Sequence, residues 1–198
     1  MEVKLLTSPY SLNEMEKFAA LAHLTCHAST DYSYVPHEVL AQRIEDRDEA
    51  VLEHITLTYS VKGLSRACLQ ELSQHRHISL SVESTRYTLD IRLDNEQWVE
   101  SLADKLLPCQ RDLLDYLVRL ANISDYSVDE LKYYLPEFWP TNLILTSNIR
   151  ELRHILDLRT NPAALKEFRV LAYSLYEAVP ESFRYLLEDC VYMEKKHE

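Results

Sequence analysis

The chain has 198 residues, 46% of them hydrophobic and 27% charged, which suits one globular domain with a packed core. Its formal net charge of -11 sets up a field that disfavours nucleic acid and anionic membrane as partners. Gly63 is the single glycine, so neither a dinucleotide-binding fingerprint nor a P-loop can be written, and any nucleotide phosphate must be held by side chains and helix N-termini.

In chain order, residues 2–7 read as a strand stopped by Ser8-Pro9. Ser11 followed by Glu14 has the form of a capping box and opens a helix through Phe18, Leu21 and Ala22 to about Thr25. A polar loop rich in Ser and Tyr spans Cys26 to Val35, and Pro36 starts a second helix spaced by Val39, Leu40, Arg43 and Ile44. Residues 53–61 alternate, with Ile55, Leu57, Tyr59 and Val61 on one face of a strand that Gly63 is expected to end. A helix follows through Leu64, Cys68 and Leu72, and Leu80 and Val82 then alternate as in a short strand or extended segment. Helical spacing returns from Asp94 to about Asn122, broken at Pro108, and again from Val128 to Leu135, ended by Pro136. A short apolar strand covers Asn142 to Thr146. The next helix begins near Asn148 with Ile149, Leu152, Ile155 and Leu156 inward. Asn161-Pro162 has the form of a cap with a first-turn proline for a helix to Ala178, and a last helix is expected from Ser182 to Tyr192. Few strands among many helices, without repeats or linkers, give one α/β domain over residues 1–198.

Cys26, Cys68, Cys109 and Cys190 are widely spaced and form no C-x-x-C pair, so reduced thiols in a cytoplasmic protein are expected. The opening MEVKLLTSPY contains no apolar run long enough for a signal peptide or a membrane span.

The stretch from Leu64 to Leu89 carries the chemistry. It gathers Glu71, Gln74, His75, Arg76, His77, Ser84, Thr85 and Arg86 into one helix end and the segment after it. Gln74-His75-Arg76, seven residues, then Ser84-Thr85-Arg86-Tyr87 resembles the signature of the flavin-dependent thymidylate synthases, Arg-His-Arg, seven residues, Ser, then Arg-Tyr. Gln74 departs from that pattern by replacing Arg. Two further blocks match in the right order. Glu53-His54 resembles the family's upstream Glu-His pair, although Ala50 stands where a Ser or Thr commonly contacts the flavin. Asn148-Ile149-Arg150, followed by Leu158-Arg159, resembles the later motif, with His154 in place of the usual Asn. Lys132, four residues before Pro136, sits where the family carries a basic residue for the substrate.

Each residue alone has a plainer interpretation. Arg76, Arg86 and Arg159 serve equally well as surface ion-pair partners in so acidic a chain, Lys132 as a solvated lysine, and Ser84 as a strand-end serine without a His/Asp partner pattern. His75 and His77, with His54, raise a metal site, but an H-x-H pair on a helix diverges by about 200° and chelates poorly, so no metal is expected. The three blocks together carry the resemblance.

What the resemblance implies is reductive methylation of dUMP to dTMP, with FAD, NADPH and methylenetetrahydrofolate, by a small, mostly antiparallel sheet surrounded by helices and assembled as a homotetramer. Arg159 would stabilise negative charge on the uracil. Glu71, Gln74 and Lys132 would contact dUMP, and Ser84, Thr85 and Arg86 would hold its phosphate and sugar from a neighbouring subunit. Gln74, His75, Arg76, His77, Asn148, Arg150 and His154 would hold the flavin. The departures at Gln74, Ala50 and His154 are expected to weaken FAD binding, because a neutral hydrogen bond is about half as strong as a charge-assisted one. They also motivate the alternative of a catalytically degenerate homologue that binds a uridine nucleotide.

Overall fold

A computed structural model describes residues 1–28, 33–123 and 126–192. Four strands, β1 (Glu2–Leu5), β2 (Thr56–Ser65), β3 (Ile78–Val82) and β4 (Pro140–Asn148), form one antiparallel sheet in the order β1-β2-β4-β3. Around it lie α1 (Pro9–Cys26), α2 (Pro36–Glu45), α3 (Arg66–Leu72), α4 (Thr85–Leu93), α5 (Glu96–Ala103), α6 (Pro108–Ile123), α7 (Val128–Leu131), α8 (Ile149–Arg159) and α9 (Lys166–Glu177). The mixed α/β class and the small antiparallel sheet are those expected.

The sheet is one-sided. Leu57, Tyr59 and Val61 of β2 and Leu143 and Leu145 of β4 are buried, whereas Thr58, Ser60, Ile144 and Thr146 between them are half-buried or exposed. The buried face joins Ile149, Leu152, Ile155 and Leu156 of α8, Phe168, Leu171 and Leu175 of α9, and Leu12, Ala19 and Ala20 of α1 in the main core. A second core of Leu89, Leu93, Leu114, Leu117, Leu131 and Trp139 supports α4, α6 and α7. Burial of this kind stabilises a domain by about 25 cal/mol per Å² of apolar surface.

Several local expectations are corrected. The first helix starts three residues earlier than the Ser11–Glu14 pair suggests, because Ser8 caps it by accepting the Ser11 N–H at 3.1 Å while Pro9 supplies the first turn. Its Phe18 is 60% exposed. Residues 49–54 form a 3-10 helix, so the strand begins at Thr56. Gly63 does not end it: β2 continues to Ser65 through a register shift between Lys62 and Leu64, where Gly63 adopts φ +72. The segment after Ser84 is helix α4, which buries Leu89 and Leu93 in the second core. Lys132 begins a 3-10 turn directly after α7. Asn161 accepts the Ala163 N–H within a turn, and α9 starts only at Lys166. The expected last helix is two 3-10 turns, Glu181–Leu186 and Glu188–Cys190. Residues 29–32 of the expected polar loop lie outside the described residues. All four cysteines are free thiols. Burial pushes the Cys68 thiol up to about 12, which keeps it protonated. Among the described residues no helix is long and apolar enough to cross a membrane.

At Gly63 a Cβ would meet only Met1 backbone atoms, the nearer at 3.7 Å, so its cost is conformational rather than steric. Gly63→Ala should therefore lose about 1 kcal/mol in urea unfolding, and an unchanged midpoint would show that the bulge tolerates a side chain.

Candidate active site

The sheet and α8 meet at Asn148. Its backbone is paired with Thr56 across β2, its side-chain oxygen accepts the Glu151 N–H at 2.8 Å to cap α8, and the Ile149 N–H reaches the Ile55 carbonyl at 2.8 Å. This junction aims the first turn of α8 into a cleft of about 690 Å³, within the usual range for small-molecule sites. Arg47, Glu53, His77, Asn148, Arg150 and His154 are among its walls.

Charge in this cleft is largely spoken for. Arg150 Nη1 pairs with Glu53 Oε1 at 2.6 Å, with both side chains about half exposed. Arg153 is only 3% exposed and binds Asp189 at 2.6 and 2.7 Å, Glu49 at 3.0 Å and the Leu186 carbonyl at 2.7 Å. Burial pulls its pKa down, but those carboxylates outweigh it and hold the guanidinium above its ordinary value, and the contacts tie the C-terminal 3-10 turns to α8. His77, His154 and Arg47 remain on the cleft wall, Arg47 at φ 57 just beyond the end of α2.

Beside the cleft lies a chain of polar contacts that crosses from α3 to α8. Arg159 Nη1 donates to Glu71 Oε2 at 2.8 Å, and its Nε donates to His75 Nε2 at 3.4 Å. The guanidinium lies over the Phe168 ring, 4.5 Å from its centroid. On the far side of the imidazole, His75 Nδ1 meets Glu151 Oε1 at 3.1 Å, and the His154 ring is edge-on at 5.8 Å. His75 and Glu151 are 7% and 8% exposed.

A second, smaller cleft of about 150 Å³ is lined by Ser84, Thr85 and Lys132 together with Arg66, Glu83, Trp139 and Thr141. Arg86 stands outside it, paired with Asp129 at 2.9 Å. This cleft follows the C-terminal end of β3, whereas His77 precedes its N-terminal end. Five strand residues separate them, about 17 Å at the usual rise.

The expected site residues thus fall into three groups. His77, Asn148, Arg150 and His154 share the large cleft, Glu71, His75 and Arg159 form the contact chain, and Ser84, Thr85 and Lys132 share the small cleft. Gln74 and Arg76 are exposed in the turn between α3 and β3 and line none of the clefts described. Among the described residues, no group of three His, Cys, Asp or Glu side chains is placed to hold a metal ion. Glu151 was missed by sequence reasoning. As the third residue after an N-cap Asn it looks like an ordinary first-turn carboxylate, and only the fold buries it against His75.

The family model for thymidylate synthase complementing protein matches residues 8–183. The chain belongs to that family. Among curated relatives, the flavin-dependent thymidylate synthase of Campylobacter jejuni is 39% identical over 154 residues, covering 72% of this chain and 74% of the relative. The flavin-dependent thymidylate synthase of Helicobacter pylori is 35% identical over 193 residues, covering 87% and 93%. The crystal structure of thymidylate synthase X from Helicobacter pylori with FAD and dUMP superposes with a TM-score of 0.84 at 33% identity, covering 98% of this chain and all of that one (100%).

Within this thymidylate synthase fold, burial first and the nearby Arg159 charge hold His75 below the ordinary imidazole value of 6.5, against the opposing pull of Glu151. The unfolded chain takes up a proton near that value and the buried ring resists it, so stability is lost as pH falls below about 6.5 and the loss ends below the depressed folded value. His23, lowered mainly by burial, adds a slope of the same sign. Urea unfolding between pH 7.5 and 5 should show this decline, and His75→Asn should flatten it; an unaltered slope would place the titration elsewhere.

Proposed function

We propose that residues 1–198 act as one domain that makes dTMP from dUMP, with methylenetetrahydrofolate as carbon donor and NADPH as reductant, in the cytoplasm. The observation that carries this reading is the placement of Arg159, whose guanidinium is held by Glu71 and His75 and stacked on Phe168. A fixed charge that cannot be lost by deprotonation suits an anion that develops only as the reaction proceeds. Placed beside the uracil, Arg159 would stabilise negative charge in the ring and make its C5 carbon more nucleophilic. Glu71, one bond away, would orient the guanidinium on the dUMP side.

FAD fits the large cleft in kind. Arg150 offers a guanidinium to phosphate once Glu53 yields, and His77, His154 and the amide nitrogen of Asn148 offer donors for ring edges; the Asn148 oxygen is already committed to the cap. When bound, reduced FAD supplies the hydride that completes the new methyl group. The protein's part is to bind, orient and place charge.

Ser84, Thr85 and Lys132 supply hydroxyls and an ammonium suited to a nucleotide phosphate, with Arg86 at the rim. They lie at the opposite end of β3 from the large cleft, about 17 Å along the strand. A phosphate end from one copy and a ring end from another resolve this, which supports a homotetramer with shared sites. Tyr87, Ile91 and Tyr133 are 79%, 69% and 88% exposed, an apolar surface suited to such a contact.

Tritium release from 5-tritiated dUMP, dependent on FAD, NADPH and methylenetetrahydrofolate, is the expected activity, and its absence with dUMP still bound would favour the degenerate binding homologue. Arg159→Ala should abolish release while circular dichroism stays native; an active variant would remove the role given to Arg159. Purified protein should lose FAD readily, and Gln74→Arg should tighten FAD in a fluorescence titration; an unchanged or weaker affinity would show that Gln74 does not set it.

A further inference from the structure

We propose that Glu151 and His75 form a positioning pair for Arg159, in which Glu151 selects the imidazole tautomer that presents a lone pair to the guanidinium. This rests on the thymidylate synthase reading, since it deepens the role of Arg159.

The hydrogen-bond directions around the imidazole decide the tautomer. Arg159 Nε always carries its proton, so at 3.4 Å from His75 Nε2 it can only donate. His75 Nε2 must then be an acceptor, and the single ring proton of neutral histidine sits on Nδ1. There it donates to Glu151 Oε1 at 3.1 Å. The other tautomer would turn an N–H against the Arg159 N–H and leave Glu151 facing a lone pair. A protonated ring would satisfy Glu151 but set a second positive charge against Arg159. Burial of His75 and Glu151 raises the cost of either mismatch, because water is not at hand to pair the orphaned group.

Every group facing the ring fits this assignment. Glu151 accepts on one side, Arg159 donates on the other, and the aromatic edges of Phe168 and His154 stand at 6.0 and 5.8 Å. Glu151 is itself held, its backbone N–H bonded to Asn148 at 2.8 Å. Glu71 takes Arg159 Nη1, so the guanidinium is fixed at two of its nitrogens, Nε and Nη1. His75 therefore acts on the substrate side through Arg159.

The test begins with the ring nitrogens of His75, read by ¹⁵N NMR in histidine-labelled protein at pH 7.5 without ligands and assigned with His75→Asn. A neutral ring protonated on Nδ1 is expected; a ring protonated on Nε2, or an imidazolium, overturns the proposal. Glu151→Met removes the acceptor at similar volume and should populate the Nε2–H tautomer. It should also lower kcat for tritium release by roughly tenfold to a hundredfold, with KM for dUMP nearly unchanged. Glu151→Gln, which keeps an acceptor oxygen, should restore Nδ1–H and most of kcat. A Met variant with wild-type kcat, or a Gln variant no better than Met, overturns the proposal. Should Glu151→Met not fold, the ring state of the wild type decides. Because that state is measured without substrate, it stands apart from the thymidylate reading, which fails only if the wild type releases no tritium.

Discussion

The junction at Asn148 is the constraint on which the rest of the site depends. One residue closes the β2–β4 ladder, caps α8 and delivers Glu151 into the interior. From that cap the helix period does the remaining work. Ile149, Leu152, Ile155 and Leu156 turn inward, Arg150 and His154 turn to the large cleft, and Arg159 emerges at the end of the third turn. Losing the cap would do more than fray a helix end, which alone costs about 1 kcal/mol. It would also loosen the turn that holds Glu151 against His75.

Strand and helix assignments were mostly legible because the sheet is one-sided and the helices amphipathic, so alternation in β2 and three-to-four spacing in α8 were written plainly. The errors cluster where local geometry overrides periodicity. Gly63 reads as a stop in isolation, yet in the sheet its positive φ permits a bulge that lets β2 run on to cap α3 through Ser65. α4 was hidden because only two of its residues, Leu89 and Leu93, are buried, too few for a stripe. The C-terminal turns were hidden for a different reason: Arg153, thirty-odd positions earlier, holds them through long-range ion pairs that no local pattern records.

The motif residues were found from a family pattern, but their division of labour was not. Spacing placed Arg159 on α8 and His75 after α3 without indicating that they touch. A short strand through Leu80 and Val82 was expected, but not that it parts His77 and Ser84 into two separate clefts. A motif compresses distance in sequence that the strand then restores in space. The acidic excess of the chain likewise reappears as specific pairings: Glu53 on Arg150, Glu71 on Arg159, and Glu49 with Asp189 on Arg153.

With sites shared between copies as proposed above, the separation of the two clefts along β3 would also have a genetic consequence. On a site shared between copies, a chain damaged at Ser84 and a chain damaged at Arg159 each bring the half that the other lacks. Two individually inactive alleles expressed together would then assemble some mixed particles with an intact pocket, whereas two lesions on the same side of the strand would never rescue each other. The strand would act as the boundary between complementation groups.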